Sequence, residues 1–144
     1  MAAPQPKSLS ITAEHGVKRF MNKWRPITEQ ELRSEISRGL EELSTAQLRF
    51  WNAIAIDLCK WEQSPWGDEG GGFWAVAVIG RRVIYFNDIE DGFNISSFAR
   101  YGSIDEYLCD QGGLQAVIYD LFSCIIGDEE GNGSFGPPRK THRE

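Results

Sequence analysis

The chain has 144 residues, of which 41% are apolar and 25% charged, and its formal net charge is −6. This composition predicts a single folded domain and argues against intrinsic disorder. No apolar run approaches the roughly 18 residues needed to cross a bilayer, so no membrane partner is expected. The amino-terminal residues lack the apolar core of a secretory signal, and a cytoplasmic location is expected.

Negative charge is concentrated in the middle of the chain. Residues 61–130 hold three Lys or Arg against thirteen Asp or Glu, whereas residues 1–60 hold nine against seven. An acidic segment of this kind does not favour binding to phosphate backbones, so nucleic acid is not expected as a partner. It favours a basic protein or a cation. An acidic surface that only keeps the protein soluble explains the same excess.

The composition along the chain predicts one domain between two tails. Residues 1–14 are expected to be a flexible tail, residues 15–127 a single α+β domain, and the Gly-, Pro- and charge-rich residues 128–144 a disordered tail. Within the domain, apolar residues at i, i+3, i+4 and i+7 predict a short amphipathic helix with a basic opposite side. These residues are Val17, Phe20, Met21 and Trp24.

Two further helices are predicted from capping signatures. Thr28 and Glu31 have the spacing of a capping box, followed by an apolar stripe that predicts a helix over about residues 29–43. Ser44 and Gln47 repeat the signature, and the wide apolar face that follows predicts a second helix to about Lys60. Residues 63–72, with three consecutive glycines, are predicted to form a loop.

The central part of the chain predicts an antiparallel meander of about three strands. Residues 73–79 form a continuous apolar run, which is typical of a strand buried on both faces. Gly80 begins the connection to a return strand over residues 83–86, and its freedom to adopt a positive φ suits that turn. A third strand is predicted over residues 93–98. The predicted fold is therefore α+β, with amino-terminal helices, this meander, and carboxy-terminal helices packed on one face.

The carboxy-terminal part predicts two helices and no disulfide. Residues 103–110 begin with a third capping-box spacing and are predicted to form a short helix, and residues 114–126 carry a longer apolar stripe. The three cysteines are odd in number and widely spaced, so they are predicted to be buried, reduced thiols. They are Cys59, Cys109 and Cys124.

The cluster from Asn87 to Asn94 carries three carboxylates and two amides at the end of a predicted strand. Oxygen ligands of this kind suit Ca²⁺ or Mg²⁺, although the spacing is not that of an EF-hand loop. The same residues suit a polar turn in which Asn and Asp bond to the local backbone and Gly92 takes a positive φ. They also suit a surface that binds a partner, and the sequence leaves these three interpretations open.

Enzymatic chemistry has little support in the sequence. No nucleophile motif, zinc motif or phosphate-binding loop is found, and His15 and His142 lie in or near the predicted tails. No cofactor and no catalytic or metal-ligating residue is assigned. Among the many aromatic residues, Trp66 and Tyr101 are the two expected to be partly exposed.

Residues 72–111, GFWAVAVIGRRVIYFNDIEDGFNISSFARYGSIDEYLCDQ, carry a resemblance to known proteins. The layout resembles that of small cytosolic immunity proteins of bacterial toxin systems, the SUKH group among them. The resemblance lies in the order of elements, since the Leu-Pro and Asn-Gly signatures of that group are not found. It implies a non-enzymatic protein that inhibits a cognate toxin by stoichiometric binding.

If this resemblance holds, an acidic surface covers a basic toxin domain, and aromatic side chains anchor the contact. The residues assigned to that surface are Trp66, Asp68, Glu69, Asp88, Glu90, Asp91, Phe93, Tyr101, Asp105 and Glu106. Two alternatives remain at this point: a homodimeric adaptor that pairs through a sheet edge, and a small metal-dependent hydrolase that uses the Asn87 to Asn94 cluster.

Overall fold

A computed structural model describes residues 23–126 of the chain. The two predicted tails, both histidines and most of the predicted helix around Val17 lie outside the described residues. The elements in chain order are α1 (Glu29–Leu40), α2 (Thr45–Ile54), β1 (Ala55–Trp61), β2 (Phe73–Ile79), β3 (Arg82–Asn87), β4 (Gly92–Ser97) and α3 (Leu114–Ile126).

The predicted α+β class is confirmed. The four strands form one antiparallel sheet in the order β1-β2-β3-β4, with helices before and after it. All three helices lie on the same face of this sheet, where α3 contacts α1, α2 and β4. The sheet has four strands rather than three because the segment predicted as the second half of a helix is a strand.

That extra strand, β1, corrects the prediction of a helix running to about Lys60. The helix α2 ends at Ile54, and the chain continues directly into a strand that pairs with β2. The apolar residues after position 54 fit both a helical and an alternating pattern, so periodicity alone does not decide between them. Pairing with the buried strand β2 decides it. A bulge between Ala55 and Cys59 shifts the register within β1.

Both predicted capping boxes at the helix starts are confirmed. Thr28 Oγ1 accepts from the Glu31 backbone N–H at 3.1 Å, and Glu31 Oε1 accepts from the Thr28 N–H at 3.0 Å. Ser44 and Gln47 make the same reciprocal pair at the start of α2. Each box satisfies backbone donors that a helix start leaves without an intrahelical partner.

The Glu31 carboxylate also binds the Arg25 guanidinium, at 2.9 Å and 3.2 Å. This contact holds the pKa of Glu31 at about 2, well below its ordinary value. A depressed pKa stabilises the fold above the ordinary pKa of a carboxyl group, and this contribution is lost as the pH falls through about 2.

Replacing Glu31 with Gln is expected to keep the capping box and to remove this pH dependence. The cost at pH 7 is expected to be about 1 kcal/mol, because the ion pair is partly exposed to solvent. Thermal unfolding of both proteins between pH 7 and pH 2 measures it, and the two melting temperatures should converge at the acid end. Glu29→Gln, which breaks an exposed pair with Arg33 in the same helical turn, is the control. A constant gap at every pH would contradict this assignment.

The sheet separates two hydrophobic cores. The core on the helix face includes Leu32, Trp51, Ile84, Phe86, Phe93 and Ile118. The core on the opposite face includes Trp61, Phe73, Ala75, Val83, Tyr85, Phe98 and Ile104. The predicted burial of β2 on both faces follows from this arrangement, and Gly80 has φ 61° at the start of the β2–β3 turn, as expected.

No helix forms over residues 103–110, which corrects the third capping-box prediction. Residues 103–113 instead run in an irregular, non-helical path and cover the face of the sheet opposite the helices. We call this segment the strap. Its ends bond to the outer edge of β4, where the Phe93 N–H donates to Gly112 O at 3.0 Å and the Asp105 N–H donates to Ser97 O at 3.3 Å. The strap therefore covers one edge of the sheet at two points.

The cysteine prediction is wrong in one respect. All three thiols are free, as expected, but each is exposed rather than buried, because β1, the strap and α3 present them to solvent.

Within residues 23–126, no helix is both long and apolar enough to span a membrane.

Candidate interaction face

Four side chains of the sheet hold the backbone of the strap. The Tyr85 hydroxyl donates to Glu106 O at 3.0 Å and accepts from the Leu108 N–H at 2.8 Å. The Asn94 amide bonds to both the N–H and the C=O of Asp110, at 2.9 Å and 3.2 Å. The other two contacts are Asn87 Nδ2 to Leu108 O at 2.8 Å and the Glu106 N–H to Ser96 Oγ at 2.8 Å. These bonds satisfy backbone donors and acceptors of the strap, as the hydrogen bonds between neighbouring strands do within a sheet.

The positions of these four side chains follow from strand alternation. Tyr85 and Asn87 are two residues apart in β3, and Asn94 and Ser96 are two residues apart in β4. Successive side chains of a strand point to opposite faces, so all four lie on the strap side. Their neighbours Phe86 and Phe93 pair across the strands on the helix side. In the sequence, the feature that could have indicated a covering segment is the polar side chain at every second position of these two buried strands.

Tyr85, which lies beneath the strap, and Tyr107, which belongs to the strap, stay protonated over the ordinary pH range. Burial raises the pKa of Tyr85 to about 12, and burial also raises that of Tyr107 to about 12. Each hydroxyl therefore retains its proton as a hydrogen-bond donor. The underside of the strap is thus a neutral hydrogen-bonded network, and the negative charge of this face lies on its outer side.

The turn from Asn87 to Asn94 is built by its own polar side chains. Asn87 Oδ1 accepts from the backbone N–H groups of Ile89 and Glu90, at 3.0 Å and 3.1 Å. Asp91 takes the positive φ, 62°, that the sequence had suggested for Gly92. Gly92 is needed for another reason, because a Cβ at this position would overlap the backbone of Asp110 and Gln111. These contacts are those of the polar-turn interpretation.

Two residues assigned to the partner surface lie in the interior instead. Phe93 is 1% exposed and packs on Phe86 in the helix-side core. Asp88 is 4% exposed, and its carboxylate accepts from the Ile27 N–H at 2.8 Å, just before α1. Neither side chain is available to a partner, because each is buried in the contacts that position the strands and the start of α1. Burial of this kind depends on packing, which the local pattern did not reveal.

Both aromatic residues expected to be exposed are exposed. Trp66 is 42% exposed and stacks on Tyr107 with ring centroids 5.1 Å apart, and Tyr107 in turn contacts Phe73. Tyr101 is 62% exposed and lies on Trp61, with ring centroids 4.6 Å apart. Each exposed ring therefore packs on a second ring that belongs to or borders the strap-side core. This packing holds the exposed ring in place while its outer side contacts solvent.

The outer side of the strap is acidic and has an apolar centre. Asp105, Glu106 and Asp110 are exposed, and the strap contains no Lys or Arg. Leu108, between them, is 40% exposed. Asp68 and Glu69 lie in the loop that carries Trp66, and they are exposed as well. We define the strap face as Trp66, Asp68, Glu69, Tyr101, Asp105, Glu106, Leu108 and Asp110.

The structure thus brings together six of the ten residues assigned to a partner surface from the sequence. Glu90 and Asp91 lie at one end of the strap, where Gln111 Nε2 donates to Glu90 O at 3.2 Å. Leu108 and Asp110 were missed because residues 103–110 were predicted to be a helix. No group of three or more His, Cys, Asp or Glu side chains suited to a metal ion occurs within residues 23–126.

Comparisons with protein-family profiles, with characterised proteins and with solved structures found no significant match to this chain.

Proposed function

We propose that this chain is a non-enzymatic binding protein whose strap face covers a basic surface of another protein. The observation that carries the proposal is the exposed Trp66, stacked on Tyr107 and flanked by acidic side chains. Large aromatic residues that are held firmly and surrounded by charge are the usual energetic centres of protein interfaces. The acidic rim would speed association with a basic partner and fix its orientation.

The partner class we propose is a toxin, with this chain as its cytoplasmic bacterial immunity protein. A single stoichiometric contact is enough for inhibition when the bound protein blocks a basic active site or substrate groove. The negative charge on the strap, the absence of Lys and Arg from that segment, and the aromatic anchors fit such a role. Association of this kind weakens as salt screens the charges.

The two alternatives receive less support from the described residues. Pairing through a sheet edge is hindered at β4, where the strap bonds to the edge, and at β1, where a bulge interrupts the register. A metal-dependent site at the Asn87 to Asn94 cluster would have to use groups that are already engaged. Asn87, Asp88 and Asn94 all hold backbone groups of the turn, the strap or the start of α1.

The test is a parallel capture from the lysate of the source cell, with three forms of the protein. The wild type is compared with Asp105→Lys/Glu106→Lys on the strap and with Glu41→Lys/Glu42→Lys at the end of α1. All four positions are exposed, and both double variants change the net charge by the same amount. The expected result is one basic protein, bound in equal amount by the wild type and the α1 variant and at least tenfold less by the strap variant.

Salt provides the second arm of this test. Capture is expected to fall between low and moderate salt, because the attraction between exposed charges is screened. Capture of the same protein by all three forms would reject the strap face as the binding surface. The Asp105→Lys/Glu106→Lys protein should unfold at the same temperature as the wild type, since both side chains point to solvent.

A further inference from the structure

The loop that carries Trp66 is held by hydrogen bonds of its own backbone. The Gly67 N–H donates to Gln63 O at 2.8 Å, and the Asp68 N–H donates to Pro65 O at 3.3 Å. A Cβ added to Gly67 would lie 2.7 Å from Gln63 O, so the chain is closely packed at this point. Trp66 therefore occupies a tight turn whose conformation is set within the loop itself.

One face of the Trp66 ring is covered and the rest of the ring meets solvent. Tyr107 stacks on the covered face, with the two ring planes 25° apart. In the part of the chain that the structure describes, no second ring and no cation lies against Trp66, which is partly exposed. The uncovered side of the indole therefore offers a π face to a cation.

A second tryptophan beside this loop already holds a cation. The Lys60 ammonium lies 5.3 Å from the centre of the Trp74 ring and donates to Gly70 O at 2.6 Å, at the glycine-rich end of the loop. The chain thus supplies its own cation to Trp74. Trp66 receives none from residues 23–126, so a protein partner can supply it.

A carboxylate lies close to the Trp66 ring. Asp68 follows Trp66 by two residues, so their Cα atoms are within about 7 Å of each other. Asp68 Oδ1 accepts from the Ser64 hydroxyl at 2.6 Å, and this bond occupies one of the two carboxylate oxygens. The side chain is exposed, so the second oxygen can accept from a partner. Trp66 and Asp68 together offer a π face and an acceptor to the same cation.

An arginine side chain suits this pair better than a lysine side chain. The guanidinium is flat, so it can lie parallel to an indole while the N–H groups at its edge donate to a carboxylate. An ammonium is compact and strongly hydrated, and it gains less from a ring that remains in contact with solvent. The two cations carry the same charge, so the acidic residues of the strap face would not distinguish them by charge alone.

We propose that the strap face selects arginine over lysine in its protein partner, with the guanidinium stacked on Trp66 and bonded to Asp68. The inference rests on the proposed function, because it names the anchor residue that the basic partner supplies. A basic protein that presents lysines but no arginine to the strap face then binds weakly, whatever its net charge.

Two matched peptides test this selectivity on the full chain. One holds four arginines alternating with glycines, and the other holds four lysines in the same places, so both carry the same charge. Binding is measured at low salt from the backbone amide signals of residues 103–110. The arginine peptide is expected to bind about threefold or more tightly than the lysine peptide. Equal affinities, or no binding of either peptide, would overturn the proposal.

Two pairs of variants assign the selectivity to these side chains. Trp66→Leu removes the ring at unchanged charge, and Asp68→Asn removes the charge but keeps an oxygen for the Ser64 hydroxyl. Tyr119→Leu and Asp120→Asn are the controls, since they change an exposed ring and the adjacent exposed carboxylate on α3. Trp66→Leu is expected to abolish the preference for arginine and Asp68→Asn to reduce it, while both controls keep it. A preference that survives in Trp66→Leu, or that disappears in Tyr119→Leu, would contradict the assignment.

The peptide test and the lysate capture together separate the selectivity from the proposed function. Equal peptide affinities, combined with capture of a basic protein that Asp105→Lys/Glu106→Lys fails to bind, overturn the selectivity and leave the proposed function standing. A preference for arginine that depends on Trp66, without any captured protein, supports the selectivity and counts against the proposed function.

Discussion

Replacing Gly92 with Ala is expected to lower the free energy of unfolding by about 3 kcal/mol. The added Cβ would overlap the Asp110 carbonyl oxygen and would lie 2.5 Å from Gln111 Cα. Both obstacles are backbone atoms, and side-chain rotation cannot relieve the overlap. Either β4 shifts away from β3, or the end of the strap leaves the sheet.

Urea unfolding of the variant measures this cost. Gly112→Ala is a matched control at the same end of the strap, where the nearest atom to an added Cβ is Ala116 Cβ at 3.5 Å, an ordinary contact. The control is expected to change the free energy of unfolding by less than about 1 kcal/mol. Equal costs for the two variants would show that the strap does not press on β4 at Gly92.

Truncating Asn94 to Ala is expected to cost about 2–3 kcal/mol and to release the strap. The Asn94 amide is 2% exposed and bonds to both backbone groups of Asp110. Ala leaves those two groups without their partners and leaves a gap beneath the strap. The loss therefore exceeds that of an exposed hydrogen bond, because the abandoned groups are partly buried.

Hydrogen exchange locates this effect more sharply than stability alone. The Leu108 and Asp110 amides donate to Tyr85 and Asn94, and they are expected to exchange much faster in Asn94→Ala. Amides in the interior of α1 should keep their protection relative to global unfolding. Asn52→Ala, at an exposed position of α2, serves as the control and should stay within about 0.5 kcal/mol of the wild type. Unchanged exchange at Asp110 would contradict the anchoring role of Asn94.

The parts of the fold that the sequence predicted correctly depend on local interactions. The capping boxes at Thr28 and Ser44 bond to residues three positions away, and Gly80 forms a two-residue turn. The helix over residues 114–126 carries its apolar stripe within a single element. In each case the residues that determine the structure are neighbours in the chain, so a short window contains the necessary information.

The incorrect predictions concern segments that are fixed by distant partners. β1 is a strand because β2 pairs with it, although its apolar spacing also fits a helix. Residues 103–110 have a capping-box spacing, but Tyr85 and Asn94 bond to their backbone in a non-helical path. A helix would have to satisfy the same backbone groups internally and would abandon those buried side chains. Tertiary contacts therefore override local preference at both places.

The predictions for the strap face divide in the same way, between features set by the local sequence and features set by distant contacts. Exposure of Trp66 and Tyr101 was predicted correctly, in the case of Trp66 from its place in a glycine-rich loop, and acidity was predicted from composition alone. Burial of Asp88 was not predictable, because its partner is the backbone of Ile27, 61 positions earlier in the chain. A consequence is that charge reversal at Asp88 does not test a surface, since Lys there would place a cation in the interior. Asp105 and Glu106 are the suitable positions.

The most direct test of the strap face as a binding surface compares two exposed aromatic side chains on opposite sides of the sheet. Trp66 lies on the strap face, and Tyr119, which is 60% exposed, lies on α3. The dissociation constant of the captured partner is measured for Trp66→Ala, for Tyr119→Ala and for the wild type. We predict a loss of about 30-fold for Trp66→Ala, near 2 kcal/mol, and less than about twofold for Tyr119→Ala. Wild-type affinity in Trp66→Ala, or a larger loss in Tyr119→Ala, would contradict the account.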